Sequence, residues 1–242
     1  MKNTRVLLLL SLLLFSAPLL AQRTSGGIVG SGKTIEETRT VASYDRLLVD
    51  FTIKVHIAEG APGTVVLEGE DNVLPYVEIA VNSGELRIGL SRKAKFNDTK
   101  PVTVTIHRAA LRSIQANTAC TITADVPVVA DQLTVSLNEA SRLTADLDVQ
   151  QLTVRLQAAS SVTLRGKAQK ADFQLDGASR VYAEQLRIAK ADLTLNGASH
   201  ATVDVTENLS ASADGVSVIT YSGSPVIDRQ RAGGLSTIKH VP

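Results

Sequence analysis

The chain has 242 residues, of which 44% are hydrophobic but only 3% aromatic, with no Trp. Its 25 basic and 24 acidic side chains nearly balance, and no basic stretch stands out, which excludes nucleic acid and anionic membrane surfaces as partners. The shortage of flat aromatic faces excludes base stacking, and it obliges any sugar-binding role to use polar contacts.

Residues 1–21 read as a secretory signal peptide. Lys2 and Arg5 precede an apolar run from Val6 to Phe15, and Ala21 offers a small residue at a cut before Gln22. The run is too short to span a membrane, and no later stretch is long enough. An exported protein is expected, in the periplasm, on the outer-membrane surface or outside the cell. Losing Lys2 and Arg5 leaves 23 basic residues against 24 acidic ones, a charge of −1. Cys120 is the only cysteine. It cannot form an internal disulfide, and it lies too far from the leader to carry a lipid anchor, so stability must come from packing.

Residues 22–38 hold Gly26, Gly27, Gly30 and Gly32 with few large apolar residues, and read as a flexible lead-in. Residues 39–108 form an N-terminal β section. Alternation over Leu47 to Ile57 puts Val49, Phe51, Ile53, Val55 and Ile57 on one face of a strand. Pro62-Gly63 marks a turn before a strand over Thr64 to Gly69. Val77–Val81 and Glu85–Leu90 flank Asn82-Ser83-Gly84, a hairpin signature, and Val102–Ile106 is a further strand. No stretch after the leader has a helical period.

Residues 109–223 repeat. The segments ending Asn117-Thr118-Ala119-Cys120, Asn138-Glu139-Ala140-Ser141, Gln157-Ala158-Ala159-Ser160, Asp176-Gly177-Ala178-Ser179, Asn196-Gly197-Ala198-Ser199 and Asp214-Gly215-Val216-Ser217 step by 21, 19, 19, 20 and 18 residues. A propeller blade needs about twice this step, and the frame of a leucine-rich repeat is absent. Short strands joined by corners that need positive φ fit a parallel β-helix whose coils stack at ~4.8 Å. Val135, Val154, Phe173, Leu193 and Ala211 then form one inward ladder, and Leu137, Leu156, Leu175, Leu195 and Ala213 another. Residues 224–242 are expected to be a cap or tail.

Candidate chemistry is sparse. Asn138, Gln157, Asp176, Asn196 and Asp214 share one corner and offer oxygen ligands suited to calcium, but the aspartate-dense calcium nonapeptide is missing, and turn capping is the better account. Lys170-Ala171-Asp172 and Lys190-Ala191-Asp192 recur, which would set Asp172 and Asp192 ~5 Å apart, near the spacing of a retaining glycosidase. The adjacent lysines favour two ionised carboxylates and a solvated charged face instead. His56, His107, His200 and His240 have no metal-ligand spacing. Ser141, Ser160, Ser179, Ser199 and Ser217 recur without a nucleophile elbow, and Cys120 holds the same position as a repeat variant. No catalytic, cofactor-binding or metal residue is assigned, and no cofactor is expected.

The run Gly30-Ser31-Gly32, then Arg39 to Asp45, the strand to Ile57, Glu70-Asp71-Asn72-Val73-Leu74 to Ile88, the Gly-Ala-Ser coils and Tyr221-Ser222-Gly223-Ser224-Pro225 resemble the bacterial head GIN domain family (DUF2807), common in Bacteroidetes, over roughly residues 44 to 225. The resemblance implies a single-stranded, right-handed parallel β-helix in the cell envelope, with an adhesin label. An autotransporter would carry a C-terminal membrane barrel, for which no room is expected before Pro242.

The resulting reading is an all-β protein, a parallel β-helix with an N-terminal β-strand section, exported and acting as a non-enzymatic, adhesin-like binding module for a glycan or an envelope protein. The alternatives are a polysaccharide lyase or hydrolase on the same fold, and a structural or lipid-binding envelope protein.

Overall fold

The computed structural model describes residues 26–61, 63–107 and 110–242; the leader at 1–21 and the Pro62 half of the expected turn lie outside the described residues. Ile28–Val29 (β1), Thr34–Thr40 (β2), Arg46–Val49 (β3), Ile53–Ala58 (β4) and Thr64–Glu70 (β5) open the chain. A 3-10 turn at Leu74–Tyr76 leads to Val77–Asn82 (β6), Glu85–Leu90 (β7), Phe96–Asn97 (β8) and Val102–His107 (β9). The coils then run through Ser113–Ala116 (β10), Thr121–Ala124 (β11), Val128–Leu137 (β12), Arg142–Leu156 (β13), Ser161–Leu175 (β14) and Arg180–Leu195 (β15). His200–Ala213 (β16), Val218–Ser222 (β17), Val226–Ala232 (β18) and Thr237–His240 (β19) complete them.

From β10 onward the ladders are parallel, and the fold is a β-solenoid of about seven turns. Val135 pairs with Val154, Val154 with Phe173, Phe173 with Leu193 and Leu193 with Ala211. The Leu137 row runs in the same register, and both rows are buried. Burying each large member is worth ~1.5–3 kcal/mol, and no coil can hide these faces alone. The strands of β13 to β16 run through one bend of each coil without a break. At Gly166 the bend needs φ +97, and a Cβ there would collide with the Leu147 carbonyl oxygen.

The stack does not follow chain order at its beginning. β3 lies between β7 and β10, and β4 lies between β9 and β11, all in parallel. The chain therefore lays down its second layer first, returns to build the layer beneath it, and then crosses over to continue upward. The buried rows extend accordingly, from Leu86 to Leu47, Ile114 and Val135.

The single strand expected over Leu47 to Ile57 is two strands around a corner, and Phe51 is not inward. Val49 pairs with Ala116 and Lys54 with Thr121, so Asp50, Phe51 and Thr52 turn the same corner as Asn117, Thr118 and Ala119. A corner of this length leaves Val49 and Ile53 both inward, so alternation in the sequence survives the break. Phe51 sits at φ +64, costly for a bulky side chain, with the Arg92 guanidinium 5.8 Å from its ring centroid.

The two ends differ. Strand β5 adds antiparallel to β9 and β2 antiparallel to β5, and β6 adds antiparallel to β7 through the expected hairpin, with Ser83 and Gly84 at φ 49 and 80. Val73 and Leu74 plug the core there, and Arg39 holds the carbonyl oxygens of Val77 and Leu74 at 2.6 and 3.1 Å. Within the stretch read as a lead-in, β1 pairs with β8 and β2 with β5. The buried carboxylate of Glu70 fastens it by accepting from the Gly32 and Lys100 N–H groups at 2.7 and 2.9 Å. At the far end β18 stacks on β16 and β19 on β17, and all seven residues of β18 are exposed.

Candidate binding face

The repeated corner is built from backbone first. Thr118 and Ala119, then Glu139 and Ala140, have positive φ at both central positions, the signature of a type I′ turn. From Ala158 onward only the first central residue is left-handed, as in type II′, and that residue is Gly177, Gly197 and Gly215 in the next three coils. The Ala198 N–H donates to the Gly177 carbonyl at 2.7 Å, one coil below. This approach is so close that a Cβ on Gly197 would lie 2.6 Å from that oxygen.

Serine closes each corner from Ser141 onward, and of these the buried Ser160 hydroxyl alone finds no partner among the described residues. Ser179, Ser199 and Ser217 are buried and donate to the carbonyl oxygens of Asp176, Asn196 and Asp214 at 2.8–2.9 Å. The Ser141 and Ser217 hydroxyls accept from the Cys120 and Ser199 N–H groups at 3.3 Å. These residues are more than small spacers: their hydroxyls tie adjacent coils together. Cys120 occupies the same column with its Sγ 2.9 Å from the Asn117 carbonyl oxygen, and burial pushes its thiol up to about 11.

The polar corner column, read from the sequence as turn capping in preference to a calcium ladder, is paired along part of its length. Asn138 donates to Asn117, Asn117 to Asp50 and Asn196 to Asp176, at 2.9, 2.9 and 3.1 Å. Among the described residues no group of three or more His, Cys, Asp or Glu side chains could hold a metal ion. Asp172 and Asp192 do stack on adjacent rungs, but on an open flank. Asp172 accepts from Gln174 at 3.0 Å, and Asp192 faces Arg229 at 3.3 Å. Neither sits in the apolar pocket that holds a general acid protonated.

The histidines are dispersed. His56 pairs with Asp125 at 3.1 Å, His107 turns a ring nitrogen without a partner against Gly60, His200 lies beside Thr202, and His240 reaches the Gly223 carbonyl.

One flank carries a pattern that sequence reading missed. It is formed by β4, β11, β17 and the opening segments of β13 to β16. In register on its outer surface stand Lys54, Thr121, Arg142, Ser161, Arg180 and His200. The neighbouring outward column is His56, Thr123, Thr144, Thr163, Tyr182 and Thr202. Neither column contains a carboxylate. Lys54, Arg142 and Arg180 are exposed and occupy every second rung, ~9.6 Å apart at the usual strand spacing. No ion pair among the described residues engages them. Tyr182, 40% exposed, is the aromatic ring of this flank. The pattern was present in the sequence as one cation after alternate repeat corners, but its spacing emerges only once the coils are in register.

On the adjoining bend opposite charges alternate instead, with Arg165 3.9 Å from Asp146 and Lys167 3.1 Å from Asp148. Its charge is largely spent internally.

The family model described as "Putative auto-transporter adhesin, head GIN domain" matches residues 43–225. Solved structures share the fold. That of a "putative adhesin" from Bacteroides fragilis is 24% identical with a TM-score of 0.83, covering 89% of this chain and 100% of that one. A similarly named protein from Parabacteroides merdae is 20% identical with a TM-score of 0.65, covering 89% and 99%. A "putative lipid binding protein" from Parabacteroides distasonis is 15% identical with a TM-score of 0.69, again covering 89% and 99%. No curated protein matches. With three quarters of its length matched by one family model, the chain belongs to the head GIN domain family.

Proposed function

We propose that this protein is an exported, adhesin-like binding module without catalytic activity, and that it holds an extended anionic glycan along the flank of Lys54, Arg142 and Arg180. The alternate-rung cation row carries this reading. Its period is close to that of two sugars in an extended chain, so a polymer with one carboxylate or sulfate per disaccharide meets one cation per repeat. The flanking Thr and Ser hydroxyls supply the neutral polar contacts that a protein poor in aromatics needs.

Magnitude favours a polymer over a small sugar. An exposed ion pair contributes ~0.2–1 kcal/mol, too little to hold a monosaccharide. Several contacts on one chain add as an intramolecular array. The site is consistent with a place in the envelope or on secreted material, where such polymers are met.

The test is binding of acidic and neutral polysaccharides to the purified protein, by glycan array and calorimetry, with wild type and an Arg142→Ala/Arg180→Ala variant. Acidic polymers are expected to bind, more weakly as salt rises. The variant should bind roughly tenfold more weakly with an unchanged melting temperature. Equal binding of neutral polymers, or an unaffected variant, defeats the glycan assignment. Release of any shortened or unsaturated product defeats the non-enzymatic one.

A further inference from the structure

The two ends of the solenoid carry opposite charge on strands whose outer edges are open. Among the described residues β2 pairs only with β5 and β6 only with β7 at one end. At the other, β18 pairs only with β16 and β19 only with β17. Glu36, Glu37 and Glu78 against Arg39 leave β2 and β6 at −2. Arg229, Arg231 and Lys239 against Asp228 leave β18 and β19 at +2.

The faces correspond as well. β6 and β18 are the opposite edges of one wall of the prism, continuous through β7, β3, β10 and the later coils. β2 and β19 are the opposite edges of the next wall, continuous through β5, β9, β4 and β11. Apolar side chains stand in solvent at both ends, with Val226 66% and Leu235 82% exposed at the positive end and Val29 59% and Ile35 36% at the other, but the plug of Val73 and Leu74 has no counterpart among the described residues of the positive end.

From these facts we infer that the exposed last coil is the docking surface for a second copy of this chain, which stacks its acidic end on it head to tail. In that arrangement β18 meets β6 and β19 meets β2 of the next copy. Each wall then sets cations against carboxylates while its open backbone edges pair. A tail-to-tail pair would instead set Arg229, Arg231 and Lys239 against themselves, which opposes it. A head-to-tail contact uses different surfaces on the two copies, so it repeats without closing and gives short filaments. Native edge strands are usually blunted or covered for this reason.

The experiment is sedimentation velocity and light scattering on the exported form over a wide concentration range, at low and high salt. Two end variants are compared: Arg229→Glu/Arg231→Glu at one end and Glu36→Lys/Glu78→Lys at the other. The second spares Glu37, which pairs with Arg39 at 2.8 Å. Matched circular dichroism melts show that both variants fold. Wild type is expected to form concentration-dependent oligomers that weaken with salt. Each variant alone should shift the dissociation constant at least tenfold, roughly 1.4 kcal/mol, and an equimolar mixture of the two should associate again. A wild type that stays monomeric throughout overturns the inference. So does a Glu36→Lys/Glu78→Lys variant that associates like wild type, because that result means tail-to-tail pairing.

Discussion

Asn138 donates its side-chain N–H to the side-chain amide oxygen Oδ1 of Asn117 at 2.9 Å, one rung away, and the Asn117 side-chain N–H repeats the gesture towards the Asp50 carboxylate at 2.9 Å. Asn117→Leu removes both bonds. With each worth ~0.5–1.5 kcal/mol, it should lower the melting temperature by several degrees. Gln157, exposed in the same column, has no such bond, and Gln157→Ala should leave melting unchanged. Millimolar calcium should shift neither protein, because among the described residues no group of three or more His, Cys, Asp or Glu side chains gathers to hold a metal ion. A rise of several degrees with calcium in a thermal melt would contradict this.

The glycine corners are stiffer than they look from sequence. Gly197→Ala places a Cβ against the Gly177 carbonyl at φ +77. A loss of about 1–3 kcal/mol is expected from the strained backbone, read as a lower denaturation midpoint. Ala158 already tolerates φ +60, so Ala158→Gly should be close to neutral. If both substitutions have equal effects, the stacking distance is not the constraint.

Cys120 gives a pH signature. Its thiol ionises near 9 when unfolded but is pushed up to about 11 by burial. The folded state therefore holds a proton that the unfolded state gives up. Stability is intact below pH 9, declines as pH rises through the interval to 11, and levels off beyond it. Native thiol labelling at pH 8 should be slow. Cys120→Ser places in this column the residue found in the next five corners, and it should fold with a smaller alkaline decline. The decline that remains between about pH 10 and 12 belongs to Tyr44, whose hydroxyl is raised by burial from 10 to about 12. Rapid labelling of the native protein would place the thiol outside the core.

Leu175 sits in the middle of an unbroken buried row, between Leu156 and Leu195. Leu175→Asp should melt several coils together, lost as a block in hydrogen exchange. Phe173→Ala, which empties the largest side chain of the core, should cost ~3–5 kcal/mol. An unaltered melt for Leu175→Asp would contradict its inward position.

The coils were legible because a fixed step of about 20 residues and two inward positions per corner repeat with little variation from Ile114 to Ala213. Local chemistry sufficed there: a left-handed residue in each corner and a small closing residue leave few other arrangements. Phe51 was misread because a corner can interrupt a strand without disturbing the alternation on either side. The placement of β3 between β7 and β10 was not legible, since a parallel partner can come from either direction along the chain. Glu70 gave no local signal either; its donors are the backbone of Gly32 and Lys100, brought near by the fold. The cation row belongs to the same class, because its meaning is a distance between rungs.

The insertion of residues 46–58 between layers made later has a consequence for export. A polypeptide threaded through a membrane emerges with these strands in front, yet they lack their first neighbours until the segments up to residue 107 have followed, and their second until about residue 124. The first stable nucleus therefore waits for half of the chain, and afterwards each coil can crystallise onto the last as it arrives. A translocating machine would hold an unstructured, transport-competent thread for the first half of its work and pull against a growing folded plug during the second.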